Sequence, residues 1–290
     1  MTDVTFQDFW ALFWPSITAS LVAAGLSGML GFFVVTRRVA FVSAALGQVS
    51  GLAVAFGFLA GSYFGLDPHE PTPVWLDPVV IAIVASGAVA MAMARVPRMQ
   101  RTTPESTVAF VYLSAAALAL IVLANPRIVQ EAHEVGDLLF GSSVAVRREH
   151  LVELAVIAVV VIGSFIVLFK DLVFISFDPE MARTLGLPVT RLDLWMHLCI
   201  GVSVAVATRA IGALPVFGFI VLPAGAALLI TESVVGVVLL SIVGALFAAA
   251  AGFYVSFVES WPTGPMMVVA AALFWPLAAL IRLFTRARTA

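Results

Sequence analysis

Long apolar stretches, each about the length of a bilayer crossing, alternate with short polar segments along the chain. A helix that spans lipid hydrocarbon needs about 20 mainly apolar residues. Stretches that meet this length run roughly over 13–36, 40–64, 76–95, 104–124, 150–169, 192–208, 214–231, 234–257 and 265–284. The pattern predicts an all-α chain, a polytopic transmembrane bundle of about 8–9 spans. Eight spans require one stretch to fall short of a full crossing. The weakest is 214–231, which holds Pro215, Gly218, Pro223 and Gly225. Helix breakers at membrane depth need neighbouring protein to satisfy the backbone. That stretch is therefore expected as a broken or short helix packed inside the bundle. The first span has room to begin as an oblique surface helix over Phe6–Trp14.

Charge orients the spans. Lys and Arg collect in cytoplasmic loops. Arg37 and Arg38 follow the first span, Arg95, Arg98 and Arg101 share one loop, Lys170, Arg183 and Arg191 share another, and Arg282, Arg286 and Arg288 end the sequence. These are eleven of the fifteen cations. Acidic segments with Asp67, Glu70 and Asp77, and with Glu131, Glu134 and Asp137, fall in the intervening loops. Nine alternating spans then place the N-terminus outside and the C-terminus in the cytoplasm. Asp3 and Asp8 have the wrong sign for a secretory n-region, so the first span is expected to stay in the mature protein.

Composition narrows the function. Hydrophobic residues make up 62% and charged residues 11%, and mean hydropathy is +1.11. A soluble enzyme, a nucleic-acid binder and a disordered regulator are excluded on these values. The single cysteine, Cys199, excludes a disulfide framework and a cysteine-built zinc site. No internal repeat or soluble segment interrupts the pattern, so residues 1–290 read as one membrane domain.

The longest polar interruption on the inner side is 170–191, KDLVFISFDPEMARTLGLPVTR. Asp178 is placed to cap a short helix, with Pro179 at its first position and Glu180 in its first turn. Gly186 is placed to close it, followed by Pro188. A helix over Pro179–Leu185 is expected to lie across the inner mouth of the bundle, with Glu180 and Arg183 exposed. A capped helix there suits a groove on a soluble partner. An ordinary linker that needs capping is the plain alternative.

The segment SFDPEMARTLGLPVTRLD resembles the coupling segment of bacterial ABC importer permeases, in particular the zinc/manganese metal-ion family. The resemblance is carried by Phe177, Asp178, Pro179, Glu180, Ala182, Gly186 and Leu187, with Arg183 inside the same helix. Arg209, Gly212, Pro223, Ala224 and Ala227 resemble that family's Arg-x-x-Gly and Leu-Pro-Ala stretch. DLLFGSS (137–143) and SWPTGPMMV (260–268) resemble two further turns. Together these segments cover about 36 to 284. The resemblance implies a permease subunit in a bacterial plasma (inner) membrane with a coupling helix at about 177–188. Its implied cargo is a divalent metal, zinc or manganese, with no covalently bound cofactor. Its implied partners are a dimer of ABC ATPase subunits, a second permease copy or paralogue, and an extracytoplasmic solute-binding protein. The chain has no Gly-Lys-Ser/Thr loop for nucleotide phosphates, so ATP hydrolysis is expected on a separate chain.

One departure from the family bears on cargo. Permeases of this kind carry an Asp and a His four residues apart on the second span. Those positions are Ala44 and Gln48 here. Gln48 offers a carbonyl oxygen, a weak hard-cation ligand. This leaves open a metal chelate or other small solute as cargo. Gln48 is expected to face the central cavity.

Other candidates are few. His197, beside Met196 and Cys199, is an ionisable group within a span and so a pathway candidate, with Asp193 as its expected partner. The three residues do not share one helix face, so a buried polar contact is the competing reading. Arg209 is expected to pair with Glu259 or with helix-end carbonyls near the outer gate. Glu131, His133, Glu134 and Asp137 in one outer loop, and Asp67, His69 and Glu70 in another, read as cation-attracting clusters or as solvated loops. Glu149, His150 and Glu153 are offset by Arg147 and Arg148. Glycines 47, 51, 57, 61, 236, 244 and 252 permit close helix packing. No HExxH, Gly-x-Ser-x-Gly or paired intramembrane carboxylate supports an intramembrane enzyme. The near absence of carboxylates within spans also weighs against a secondary transporter.

Overall fold

The computed structural model describes residues 6–65, 73, 75–95, 104–128, 135–136, 146 and 148–289. Among the described residues the architecture is wholly helical. The helices are α1 (Phe6–Thr36), α2 (Ala40–Tyr63), α3 (Pro78–Arg95), α4 (Pro104–Leu123), α5 (Arg148–Val167), α6 (Phe169–Phe177), α7 (Pro179–Thr184), α8 (Val189–Ile211), α9 (Ala213–Ile230), α10 (Val234–Glu259), α11 (Thr263–Ala272) and α12 (Phe274–Thr289). Nine helical segments among the described residues are long and apolar enough to cross a membrane, with Thr263–Phe284 counted as one.

Three expectations from the sequence need correction. The stretch 214–231 is short and packed inside the bundle as expected, but it is not broken: α9 is one helix of 18 residues with Pro223 inside it. It passes among α1, α2, α8 and α10, and that packing is what tolerates the missing N–H of Pro223. The first span does not begin as a separate surface helix, since α1 runs without a break from Phe6 through Pro15 to Thr36. The hydrogen-bond ladder is interrupted instead in the last span, at Leu273 between α11 and α12, where the backbone stays right-handed helical. Pro276 has no N–H to offer the Ala272 carbonyl and its ring crowds that turn.

The bundle is built around α1, α2 and α8. Their apolar stretches are 78%, 72% and 72% buried, against 17% for α4 and 22% for α5. Lipid tails are as apolar as leucine, so burial in a bilayer gains little from hydrophobicity alone. Close packing of small residues drives helix association instead. The core follows that rule, with Ala19, Ala23, Ala24, Ala245, Ala248 and Ala249 almost fully buried where α1 meets α10. Gly31 of α1 lies directly on the carbonyl of Ile220 in α9, and Gly252 of α10 lies on the backbone of Met267 in α11. Neither position has room for a Cβ. Larger side chains fill the gaps, among them Phe33, edge-on to Phe165 at 5.0 Å between ring centroids.

Candidate functional site

The segment 177–187 folds from local signals. Helix α7 has six residues, too few to persist without capping or tertiary contact. Both ends are closed. The Asp178 carboxylate accepts from the Met181 N–H at 2.8 Å, with Pro179 in the first turn. At the other end Leu187 N–H donates to the Ala182 carbonyl at 3.1 Å and Gly186 N–H to the Arg183 carbonyl at 3.0 Å. Gly186 has φ +83°, which completes a Schellman closure. Ala182 is fully buried and belongs to the main core. Leu187 is half-buried.

The rest of the segment is exposed. Glu180 and Arg183 pair at 3.1 Å across one turn, with most of both side chains in the open. Phe177, Met181 and Leu185 are 63%, 53% and 65% exposed. Three large apolar side chains are therefore exposed on and beside a capped helix that carries one ion pair. The helix joins α6 to α8 and is tied to the core through Ala182.

On α2, Ala44 and Gln48 are the half-exposed positions between buried neighbours. With Phe41, Leu52 and Phe56 they mark a single stripe at helical spacing. The opposite face is tightly held. A Cβ at Gly47 would meet Ala213 at 3.0 Å, and Ser50 Oγ donates to the Ala205 carbonyl at 3.4 Å. Next to the stripe, α2, α3 and α4 enclose a groove of about 490 Å³, lined by Leu52, Phe56, Ile81, Ala85, Val111 and Leu118 among others. Ser114 is its one polar side chain, and that hydroxyl already donates to the Phe110 carbonyl at 2.6 Å. The groove offers a cation no ligand.

His197 and Arg209 lie on α8, twelve residues apart, so about 18 Å separates them along the axis. His197 is 7% exposed. Its Nδ1 is 2.9 Å from the Asp193 carbonyl and 3.6 Å from the Asp193 carboxylate. Met196 and Cys199 are buried as well. Arg209 does not pair with Glu259, which is exposed at the end of α10. Its Nη1 lies 3.9 Å from the Asp77 carboxylate, just before α3. The antiparallel packing of α3 on α8 brings these distant residues together. Among the described residues no group of three or more His, Cys, Asp and Glu side chains is arranged to hold a metal ion. The cluster residues Asp67, His69, Glu70, Glu131, His133, Glu134 and Asp137, and the turn 137–143, lie outside the described residues.

Sequence reasoning passed over a polar cluster where the C-terminal ends of α1 and α6 meet the N-terminal end of α8. Arg37 forms an ion pair with Asp193. It also donates from Nε to Ser176 Oγ at 3.2 Å and from Nη2 to the Ile175 carbonyl at 3.1 Å. These partners are 138 to 156 residues away along the chain, so no local pattern announces them.

Comparison with known proteins now adds to this geometry. The model of the ABC 3 transport family matches residues 10–282. A manganese transport system membrane protein, MntC, from Halalkalibacterium halodurans is 22% identical, with 91% of this chain and 85% of that protein covered. The high-affinity zinc uptake system membrane protein ZnuB of Haemophilus influenzae is 22% identical over 96% of this chain and 98% of its own length. Among solved structures, PsaBC from Streptococcus pneumoniae in complex with Fab superposes with a TM-score of 0.79 at 20% identity, covering 94% of each chain. That likeness establishes the fold.

Proposed function

The chain belongs to the ABC 3 transport family, and from that premise we propose that it is the membrane-spanning permease subunit of an ATP-driven importer for a divalent metal, manganese or zinc. The observation that carries the reading is the capped helix α7, with Met181 exposed on it and Phe177 and Leu185 exposed at its two flanks. An apolar patch on and beside a capped helix at the end of a bundle is a surface that a soluble protein covers. Here that protein is an ABC ATPase. Glu180 and Arg183 orient the contact, and Ala182 transmits displacement to the core.

The whole chain then acts as one permease domain in the plasma membrane, with α7 and the C-terminus on the cytoplasmic side. Two ATPase subunits closing on ATP displace two α7 helices, which calls for a second permease copy or paralogue. An extracytoplasmic binding protein delivers the cargo at the opposite face. Relatives named for manganese and for zinc support the cargo class. The pathway side of the reading rests on Gln48 and Ala44, in the half-exposed stripe of α2. His197 and Arg209 take supporting parts on α8.

Ala44 and Gln48 favour one second reading. A stripe with no ionisable ligand strips the hydration shell from a bare cation poorly, and a metal chelate needs no such ligands. The test is uptake into vesicles holding the chain with its ATPase and binding protein. ATP-dependent accumulation of free manganese or zinc supports the first reading, and accumulation of metal only as a chelate supports the second. Uptake that needs no ATPase rejects both.

A further inference from the structure

We infer that Arg37 is a positioning residue that locks both flanks of the α7 loop to the corner between α1 and α2, so that displacement of α7 reaches the pathway stripe of α2. The inference rests on the transporter reading above and deepens it. Three contacts define the lock. The Arg37 guanidinium donates to the Ile175 carbonyl at 3.1 Å and to Ser176 Oγ at 3.2 Å, both in the last turn of α6 before the loop. It is also ion-paired with Asp193 in the second turn of α8, after the loop. One planar side chain therefore spans both flanks of α7. The ion pair is shielded, with the two side chains 14% and 27% exposed.

The corner that carries Arg37 is itself fixed. Val39 N–H donates to the Val34 carbonyl at 3.0 Å and Arg38 N–H to the Val35 carbonyl at 3.0 Å. Arg38 has φ +59°, the left-handed conformation that closes a helix and that non-glycine residues adopt at a cost. Helix α2 starts at Ala40, and its stripe reaches Ala44 within two turns. Ser176 is held from behind, since its hydroxyl donates to the Leu172 carbonyl at 2.6 Å. Asp193 also faces His197. Contact through apolar packing alone lets helices slide, whereas three directed hydrogen bonds from a guanidinium fix a distance and an angle. A lysine at 37 keeps the charge but offers no planar fork for three separate acceptors.

The test uses the assembled transporter in liposomes, with ATP hydrolysis and manganese or zinc uptake measured on the same vesicles. R37A is expected to keep ATP hydrolysis near the wild-type rate and to lower metal moved per ATP by about tenfold, in the range of ordinary coupling free energies. R37K is expected to fall between the two. D193A is expected to lower the same ratio, and R37A with D193A together no further than R37A alone, because both remove one link. A ratio unchanged in R37A, hydrolysis and uptake falling in step, or additive losses in the double variant overturns the inference. If R37A fails to insert, R37K decides, since a wild-type ratio in R37K overturns it equally. Wild-type vesicles that show no ATP-dependent uptake refute the transporter reading instead. A transporting wild type beside an unaffected R37A refutes the lock alone.

Discussion

Asp178 and Gly186 close the two ends of α7, and each does so by one identifiable means. Asp178→Ala removes the acceptor for the Met181 N–H and costs about 1 kcal/mol of local helix stability. Asp178→Asn keeps an acceptor and is expected to behave close to wild type when metal uptake per ATP is measured. Gly186→Ala forces a Cβ into φ +83° at a cost of about 1–2 kcal/mol. Open space surrounds that Cβ, so the loss is conformational strain alone. Transport per ATP should fall while the amount of inserted protein holds. Glu180→Ala breaks an exposed pair, which contributes about 0–1 kcal/mol to stability. Its thermal midpoint should therefore stay near wild type, and a lowered coupling ratio then reports contact with the ATPase. The closing roles of Asp178 and Gly186 were legible in the sequence, because caps and left-handed glycines are short-range signals. Arg37 was not, because its partners lie on helices more than a hundred residues away. For the same reason the sequence offers Glu259 or helix-end carbonyls for Arg209 and does not point to Asp77, whose carboxylate lies 3.9 Å from it.

Helices pack here where glycines let backbones meet, and the positions differ sharply in tolerance. At Gly252 a Cβ would collide with the backbone of Met267, whereas at Gly61 it meets nothing within 4 Å. Gly252→Ala is expected to cost about 1–3 kcal/mol through overpacking and Gly61→Ala to stay within about 0.5 kcal/mol. Thermal unfolding of the purified chain in detergent checks the pair, and equal midpoints would contradict the packing. Span length and hydropathy foretold most helices to within a few residues, since a bilayer imposes one length on all of them. The continuity of α9 and the interruption before Phe274 escaped the sequence reading. Pro223 and Pro276 look alike on paper, and they differ in their surroundings. Pro223 is buried and shared among neighbouring helices, while the last span is only 17% buried.

The molecule as a whole presents two ends of different character. One gathers Arg37, Arg183, Arg191 and the exposed α7, and the other holds Asp77 beside Arg209. Cys199 is buried, so single cysteines introduced at Thr184 and Tyr63, both exposed or nearly so, stand against a silent background. A membrane-impermeant maleimide should reach Tyr63→Cys from outside intact cells and Thr184→Cys only after permeabilisation. The reverse pattern would put α7 on the wrong side for an ATPase. The most direct test of the central claim is metal uptake by sealed vesicles containing the chain with and without its ATPase subunit, at fixed internal ATP and no ion gradient. Accumulation of manganese, zinc or their chelate is predicted only when the ATPase is present and hydrolysing. Accumulation by the chain alone would contradict the account.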